Sequence, residues 1–198
     1  MTRPKYHEPT AGHPESRSIT RISVWDAIGD LVRLDSCPDL IHSDRYHGEI
    51  GEPSVYARRL RAHNIGQNCD DTWKTLNGRG LGGCCRTTHT EATVMRFAST
   101  HPGTVEIVSR CFRLSCDGLA PTLRAGTGPD HGSHTAARPI HPTMPRYITT
   151  REAARLHSFP DWFEFHHTKW HGFRQVGNSV PPILALVVAK SMITAIRA

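Results

Sequence analysis

The stretch from Arg146 to Ala189 constrains this chain more than any other. Thr149 followed by Glu152 fits a capping box, in which the threonine hydroxyl takes a backbone N–H and the glutamate reaches back to the cap. The helix so started is predicted to run to about His157. Phe159, Pro160 and Asp161 then stop it, because the residue before a proline is pushed out of the α region. A short variable loop follows. Gly177, Asn178 and Ser179 supply turn chemistry, and Pro181 and Pro182 suit the first turn of a second helix, where N–H groups have no intrahelical partner.

That second helix poses a burial problem. Ile183 to Ile196 reads I-L-A-L-V-V-A-K-S-M-I-T-A-I, apolar nearly all round, and such a helix is normally covered on several sides. Only 37% of the 198 residues are hydrophobic, so little is left to cover it. Either it joins a local core with helices near 24–31 and 150–157, or it packs on a surface outside this chain. The length allows one domain or two small ones. With 16 glycines and 14 prolines, turns and irregular backbone should be abundant. A net charge of +6 and a pI near 9.2 favour an acidic partner such as nucleic acid.

Residues 1–20 are polar and read as a disordered leader. Ser23 and Asp26 form a second capping box, with Ala27, Ile28 and Leu31 on one helical face ending near Cys37 and Pro38. A helix is expected from Ser54 to His63, with Tyr56 and Leu60 one turn apart and Arg58, Arg59 and Arg61 outward, either gripping phosphate or solvated. Residues 64–87 are glycine-rich loop. Thr88 and Glu91 should cap a helix to about Ala98 with Ala92 and Met95 inward. Short strands are expected between Val105 and Leu123, where β-branched and aromatic residues alternate, and a further strand from Ala120 to Arg124. A glycine-rich loop follows to Gly132. The N-terminus lacks a secretory core, and no run approaches the roughly 18 apolar residues of a membrane helix, so a soluble, cytoplasmic chain is expected (nucleoid-associated if bacterial). None of the six cysteines forms a C-x-x-C pair, so no metal is expected and the thiols read as free.

The paired segments resemble the last two sequence motifs of the DNA (cytosine-5) methyltransferases. The first is close to R-x-L-T-x-R-E-A-A-R-L-Q-G-F-P-D in that family, and Arg146, Thr149, Arg151 to Leu156 and Phe159 to Asp161 match it. The second is close to Q-x-G-N-S-V-P-P, matched by Gln175 and Gly177 to Pro182. The departures are Ile148 for leucine, His157 for glutamine and Ser158 for glycine. The helix near residue 24 resembles the segment that follows the family's catalytic core. The Thr122–Leu123 pair with its glycine loop resembles part of the target-recognition region.

The resemblance implies a mixed α/β (α+β) chain: a small irregular DNA-recognition domain, with helices that complete a partner Rossmann-like methyltransferase domain. Residues 21–54 would link to the missing core, 55–145 would recognise DNA, and 146–198 would pack on the catalytic and cofactor domain. Asn178, Ser179, Val180 and Phe159 would contact S-adenosylmethionine, shared with a partner chain. Thr122, Leu123, Arg124, Gly126 and Gly128 would face double-stranded DNA, since glycine backbone can approach base edges. Arg151, Glu152, Arg155 and Gln175 would be structural, with Arg151 and Glu152 fixing the recognition region against the core.

The family's reaction uses a cysteine thiolate that adds to C6 of a flipped-out cytosine, with a glutamate assisting. It carries these in Pro-Cys and Glu-Asn-Val. This sequence has neither, and its Cys37–Pro38 pair has the order reversed; the F-x-G-x-G cofactor loop is also absent. No catalytic residue is therefore assigned here. The resemblance implies a C-terminal portion or subunit of a split methyltransferase, active with a catalytic subunit. An inactive remnant and a non-catalytic DNA-binding module are the alternatives.

Overall fold

A computed structural model describes residues 21–62, 80–125 and 138–197. The predicted leader and the glycine loop from 126 onward, with Gly126 and Gly128, lie outside the described residues, as do Gly66 and Gly78. Six α-helices are described: α1 (Val24–Ile28), α2 (Val55–Arg61), α3 (Glu91–Ser99), α4 (Thr150–Leu156), α5 (Lys169–Asn178) and α6 (Pro182–Arg197). After α1 the chain tightens into 3₁₀ turns over Gly29–Ser36 and Pro38–Ile41.

Local sequence sets most of these starts. Ser23 accepts from the N–H of Asp26 at 3.1 Å while the Asp26 carboxylate accepts from the Ser23 N–H at 2.8 Å, so α1 opens on a reciprocal box. Thr149 and Glu152 repeat it at α4. Ser54 caps α2 through Ala57 N–H. α1 packs against α2 and α4, and α4 against α5. The main core gathers Val24, Ile28, Leu114, Leu123, Ile148, Ala154, Phe159, Phe173 and Val176. A second cluster joins Leu31, Leu34, Leu40, Leu81 and Cys84, and a third Phe97, Cys111 and Ile140. Each fully buried Leu or Phe contributes about 1.5–3 kcal/mol.

Several expectations are corrected. α3 is capped by Thr90, whose hydroxyl takes the Thr93 N–H, not by Thr88. Its buried residue is Phe97, whereas Ala92 and Met95 are exposed. The other end of α3 is closed from outside: Arg113 Nη1 donates to the carbonyls of Phe97, Ala98 and Thr100 at 2.6, 3.0 and 2.7 Å. Arg61 does not point outward but is buried against Asp30.

The mixed α/β expectation reduces, among the described residues, to helices and isolated bridges. Those bridges pair Val105 with Phe112, Arg113 with Ile140, Ile140 with Tyr147, and Tyr46 with Leu81. The 105–123 run cannot lengthen its pairing because it turns too soon. The Glu106 carboxylate accepts from Val108 N–H and Ser109 N–H, and Arg110 adopts φ 55°. Ile107 and Val108 are left at an exposed tip.

The loop expected before the second motif instead opens a helix, α5, which runs on through Gln175 to Asn178 of that motif. Its Gly172 and Gly177 explain how it fits. A Cβ on Gly172 would lie 2.7 Å from the His166 carbonyl oxygen and 2.9 Å from Thr150 Cγ2. Gly177 and Asn178 are consequently the last turn of a helix, and the chain breaks only at Ser179 to Pro181.

α6 has no buried residue. Leu184, Val187, Val188, Met192, Ile193 and Ile196 are all exposed, so it does not join a local core with α1 and α4. Taken as one stretch, Lys169–Arg197 is long and apolar enough to cross a membrane by length and composition, which corrects the expectation of no such segment. The apolar part is α6, 16 residues including Lys190, shorter than the roughly 20 that span a bilayer core.

Candidate functional site

The charged side chains of the first motif are directed into the protein. Arg155 is completely buried. Its Nε and Nη2 form a fork on Asp161 at 2.7 Å each, and Nη1 donates to both Asp30 oxygens at 3.0 Å and to the Ala27 carbonyl at 3.1 Å. Arg61 reaches the same Asp30 through Nε at 3.1 Å. Arg146 spans two carboxylates, Glu152 at 2.8 and 2.9 Å and Asp35 at 2.7 and 2.7 Å. Arg151 donates to the carbonyls of Gly82, Pro160 and Phe163.

Bidentate, hydrogen-bonded geometry of this kind makes buried charge tolerable. Burial alone would raise the Glu152 carboxyl, but Arg146, His141 and the Thr149 N–H bring it down to about 2. His141, beside it, has Nδ1 accepting from Thr143 N–H and Met144 N–H. Burial pushes its pKa down, and the two N–H groups donating to Nδ1 leave the proton on Nε2, 3.5 Å from Glu152.

These residues tie segments together. Asp30 binds the turn after α1 to α4 through Arg155, Asp35 binds it to Arg146 just before α4, and Arg151 binds α4 to the 82–83 segment through its side chain and through its N–H to Gly83. Gln175 Oε1 accepts from His166 N–H at 2.8 Å, closing the loop before α5.

The second motif presents a different surface. Asn178 is exposed and its carboxamide has no hydrogen-bond partner among the described residues; Val180 is 62% exposed. Ser179 is half-buried, and its hydroxyl donates to the Val176 carbonyl at 2.6 Å. Phe159 lies inward, 6% exposed, with Phe163 and Phe165 at 5.0 Å, so it supports the surface more than it forms it.

Among the residues expected to face DNA, Thr122 and Arg124 are exposed. Leu123 is corrected: it is 3% exposed and belongs to the main core. Alternation along an extended segment turns it inward while its neighbours face out. The second motif and this segment meet at Gly177, where a Cβ would lie 2.6 Å from the Ala125 nitrogen and 2.8 Å from the Arg124 carbonyl carbon.

Burial pushes Cys84 and Cys116 up, away from the thiolate, and Cys111 is buried beside the Tyr147 hydroxyl. Among the described residues no cluster of His, Cys, Asp and Glu is arranged to hold a metal.

Asp30, Asp35, Arg61, Arg113 and His141 were not singled out from sequence for these roles. Asp30 and Asp35 carried no signal beyond lying on a short helix that ends in a loop, because their partners lie in other elements, 31 to 125 residues away.

The comparisons extend the geometry. Residues 42–194 match the family model described as C-5 cytosine-specific DNA methylase. The type II methyltransferase M.XorII of Xanthomonas oryzae is 47% identical over 194 residues, covering 98% of this chain and 44% of that protein. The type II methyltransferase M.AgeI of Thalassovita gelatinovora is 34% identical over 107 residues, covering 54% and 23%. A solved structure described as a DNA modification methyltransferase encoded within an E. coli prophage superposes with a TM-score of 0.67 at 36% identity, covering 92% of this chain and 49% of that one. The chain thus spans less than half the length of these relatives. With the model match running from before α2 into α6, and so across both motifs, the chain belongs to the C-5 cytosine-specific DNA methylase family.

Proposed function

We propose that this chain supplies the DNA-recognition region and one wall of the S-adenosylmethionine site of a DNA (cytosine-5) methyltransferase. It acts as a portion or subunit that works with a catalytic segment carrying Pro-Cys and Glu-Asn-Val. The observation that carries this reading is α6, an apolar helix with no buried residue that begins four residues after the exposed Asn178. An exposed apolar surface of that extent marks an interaction site, and the surface that covers it would be the cofactor-binding domain.

In this reading residues 21–54 link to the catalytic core, 55–145 recognise double-stranded DNA and 146–198 dock on the core. α2 packs on α1, which favours moving the first boundary past Arg61. Asn178 and Val180 fit the cofactor: a free carboxamide offers donor and acceptor next to an exposed apolar side chain. S-adenosylmethionine, when bound, supplies the methyl group for C5 of cytosine. Thr122 and Arg124 would face the duplex, with Arg124 offering charge to phosphate or a base edge. The nucleophile would come from the catalytic segment.

The test is transfer of a tritiated methyl group to DNA by this chain, by a catalytic segment, and by both together. Activity is expected only from the pair. Asn178→Ala should weaken cofactor binding by ~1–2 kcal/mol, the scale of one or two hydrogen bonds. Activity from this chain alone would overturn the reading, and silence with every catalytic segment tried would favour an inactive remnant.

A further inference from the structure

Two positions in the first motif depart from the family pattern side by side, His157 and Ser158, and both reach across to the second motif. α4 ends in a Schellman motif: Phe159 N–H donates to the Ala154 carbonyl at 2.9 Å and Ser158 N–H to that of Arg155 at 3.0 Å. Ser158 occupies the left-handed position of that motif, with φ 62°. Glycine is favoured there because a Cβ is strained at such a φ. Serine brings strain that glycine would avoid.

The serine hydroxyl does something glycine cannot. Ser158 Oγ accepts from the Ile183 N–H at 3.1 Å. Pro181 and Pro182 carry no N–H, so Ile183 presents the first free donor of α6, one that has no acceptor within its own helix. Ser158 therefore caps α6 from a distant part of the sequence. Beside it, His157 Nδ1 lies 3.4 Å from Ser179 Oγ. The one proton of Ser179 goes to the Val176 carbonyl, so the imidazole is the donor of that contact. Among the described residues these are the side-chain hydrogen bonds that join the end of α4 to the segment from Ser179 to Ile183.

We infer that Ser158 is a positioning residue whose hydroxyl fixes the start of α6 and, through it, the Asn178–Val180 wall. The role of that wall rests on the proposed function, whereas the link from Ser158 to Ile183 does not.

The variant that separates these is Ser158→Gly, which keeps the Schellman motif and removes the strain, so the protein should fold with an unchanged or higher melting temperature. Amide hydrogen exchange at Ile183 in the full chain should rise roughly tenfold, the scale of one lost hydrogen bond. In the complex with a catalytic segment, the KM for S-adenosylmethionine should rise several-fold with kcat nearly unchanged. Unaltered exchange at Ile183 would overturn the inference. So would faster exchange with an unaltered KM, since the hydroxyl would then cap the helix without positioning the wall. A wild-type complex that binds no S-adenosylmethionine, with exchange still raised by Ser158→Gly, would instead remove the proposed function and leave the Ser158–Ile183 link standing.

Discussion

Arg155 Nη1 lies 3.0 Å from both carboxylate oxygens of Asp30, although 125 residues separate them in sequence, and both side chains are buried. Asp30 also takes Arg61, so one carboxylate joins the turn after α1 to both α2 and α4. The relationship is asymmetric: Arg155 keeps Asp161 if Asp30 is lost, but Arg61 keeps only the Gly51 carbonyl among the described residues.

Asp30→Ala should therefore be among the most damaging single changes in the chain. Removing one member of a buried ion pair costs about 3–5 kcal/mol, because an uncompensated charge stays behind. Urea unfolding of the wild type, Asp30→Ala and the Asp30→Ala/Arg61→Met double variant would measure it. The double variant should recover part of the loss. A single-variant loss below about 1 kcal/mol would mean that water reaches the arginines.

The second prediction concerns acid. The Glu152 carboxyl titrates at about 2 in the folded protein, below its ordinary 4.5. A depressed carboxylate contributes stability that is present above its unfolded value and is lost as pH falls through the folded one. That contribution, on the order of 3 kcal/mol at neutral pH, should disappear between about pH 4.5 and pH 2. Melting temperature against pH should fall steeply there for the wild type and less so for Glu152→Gln. Parallel curves would assign the acid sensitivity to other carboxylates.

What could be read in the sequence was what is encoded locally. The boxes at Ser23 and Thr149 and the start at Pro182 each depend on residues within four positions, and the structure has all three; α4 also ends near His157 as expected, but through the turn at Ser158 rather than at Pro160. Arg61 was misread because its local pattern is that of a basic surface face, and its burial depends on Asp30 in another element. α5 was missed because Gly177 read as turn chemistry and the residues before it as a variable loop, although Gly172 and Gly177 both lie inside the helix. Here they are close-approach glycines, a tertiary property with no local mark. Leu123 shows the same limit within the candidate site: a motif match named the segment that meets the second motif, but alternation decided which of its side chains stays outside.

Gly177→Ala tests the junction between the recognition segment and the second motif. The added Cβ would meet backbone atoms at 2.6 and 2.8 Å, and backbone cannot rotate away as a side-chain tip can. Helix propensity alone would favour alanine by about 1 kcal/mol, so the two effects have opposite signs. Overpacking costs typically 1–3 kcal/mol and should win, giving a net loss in thermal unfolding. A gain in stability would show that the 124–125 backbone yields freely.

The last prediction concerns α6. Val187 is 55% exposed in this chain, so Val187→Asp should leave the fold of the chain itself intact, within about 0.5 kcal/mol as surface changes usually do. In the proposed complex the same position would be covered, and a carboxylate there would be buried without a partner. Assembly with a catalytic segment should fail on a sizing column, and methyl transfer with it, while the circular dichroism of the isolated variant matches the wild type. Salt separates this contact from DNA binding. Apolar docking should persist in 1 M salt, where the Debye length is about 3 Å, whereas phosphate contacts weaken steeply as salt rises. A Val187→Asp complex that assembles and transfers methyl groups normally would move the docking surface off α6 and leave the exposure of that helix without an account.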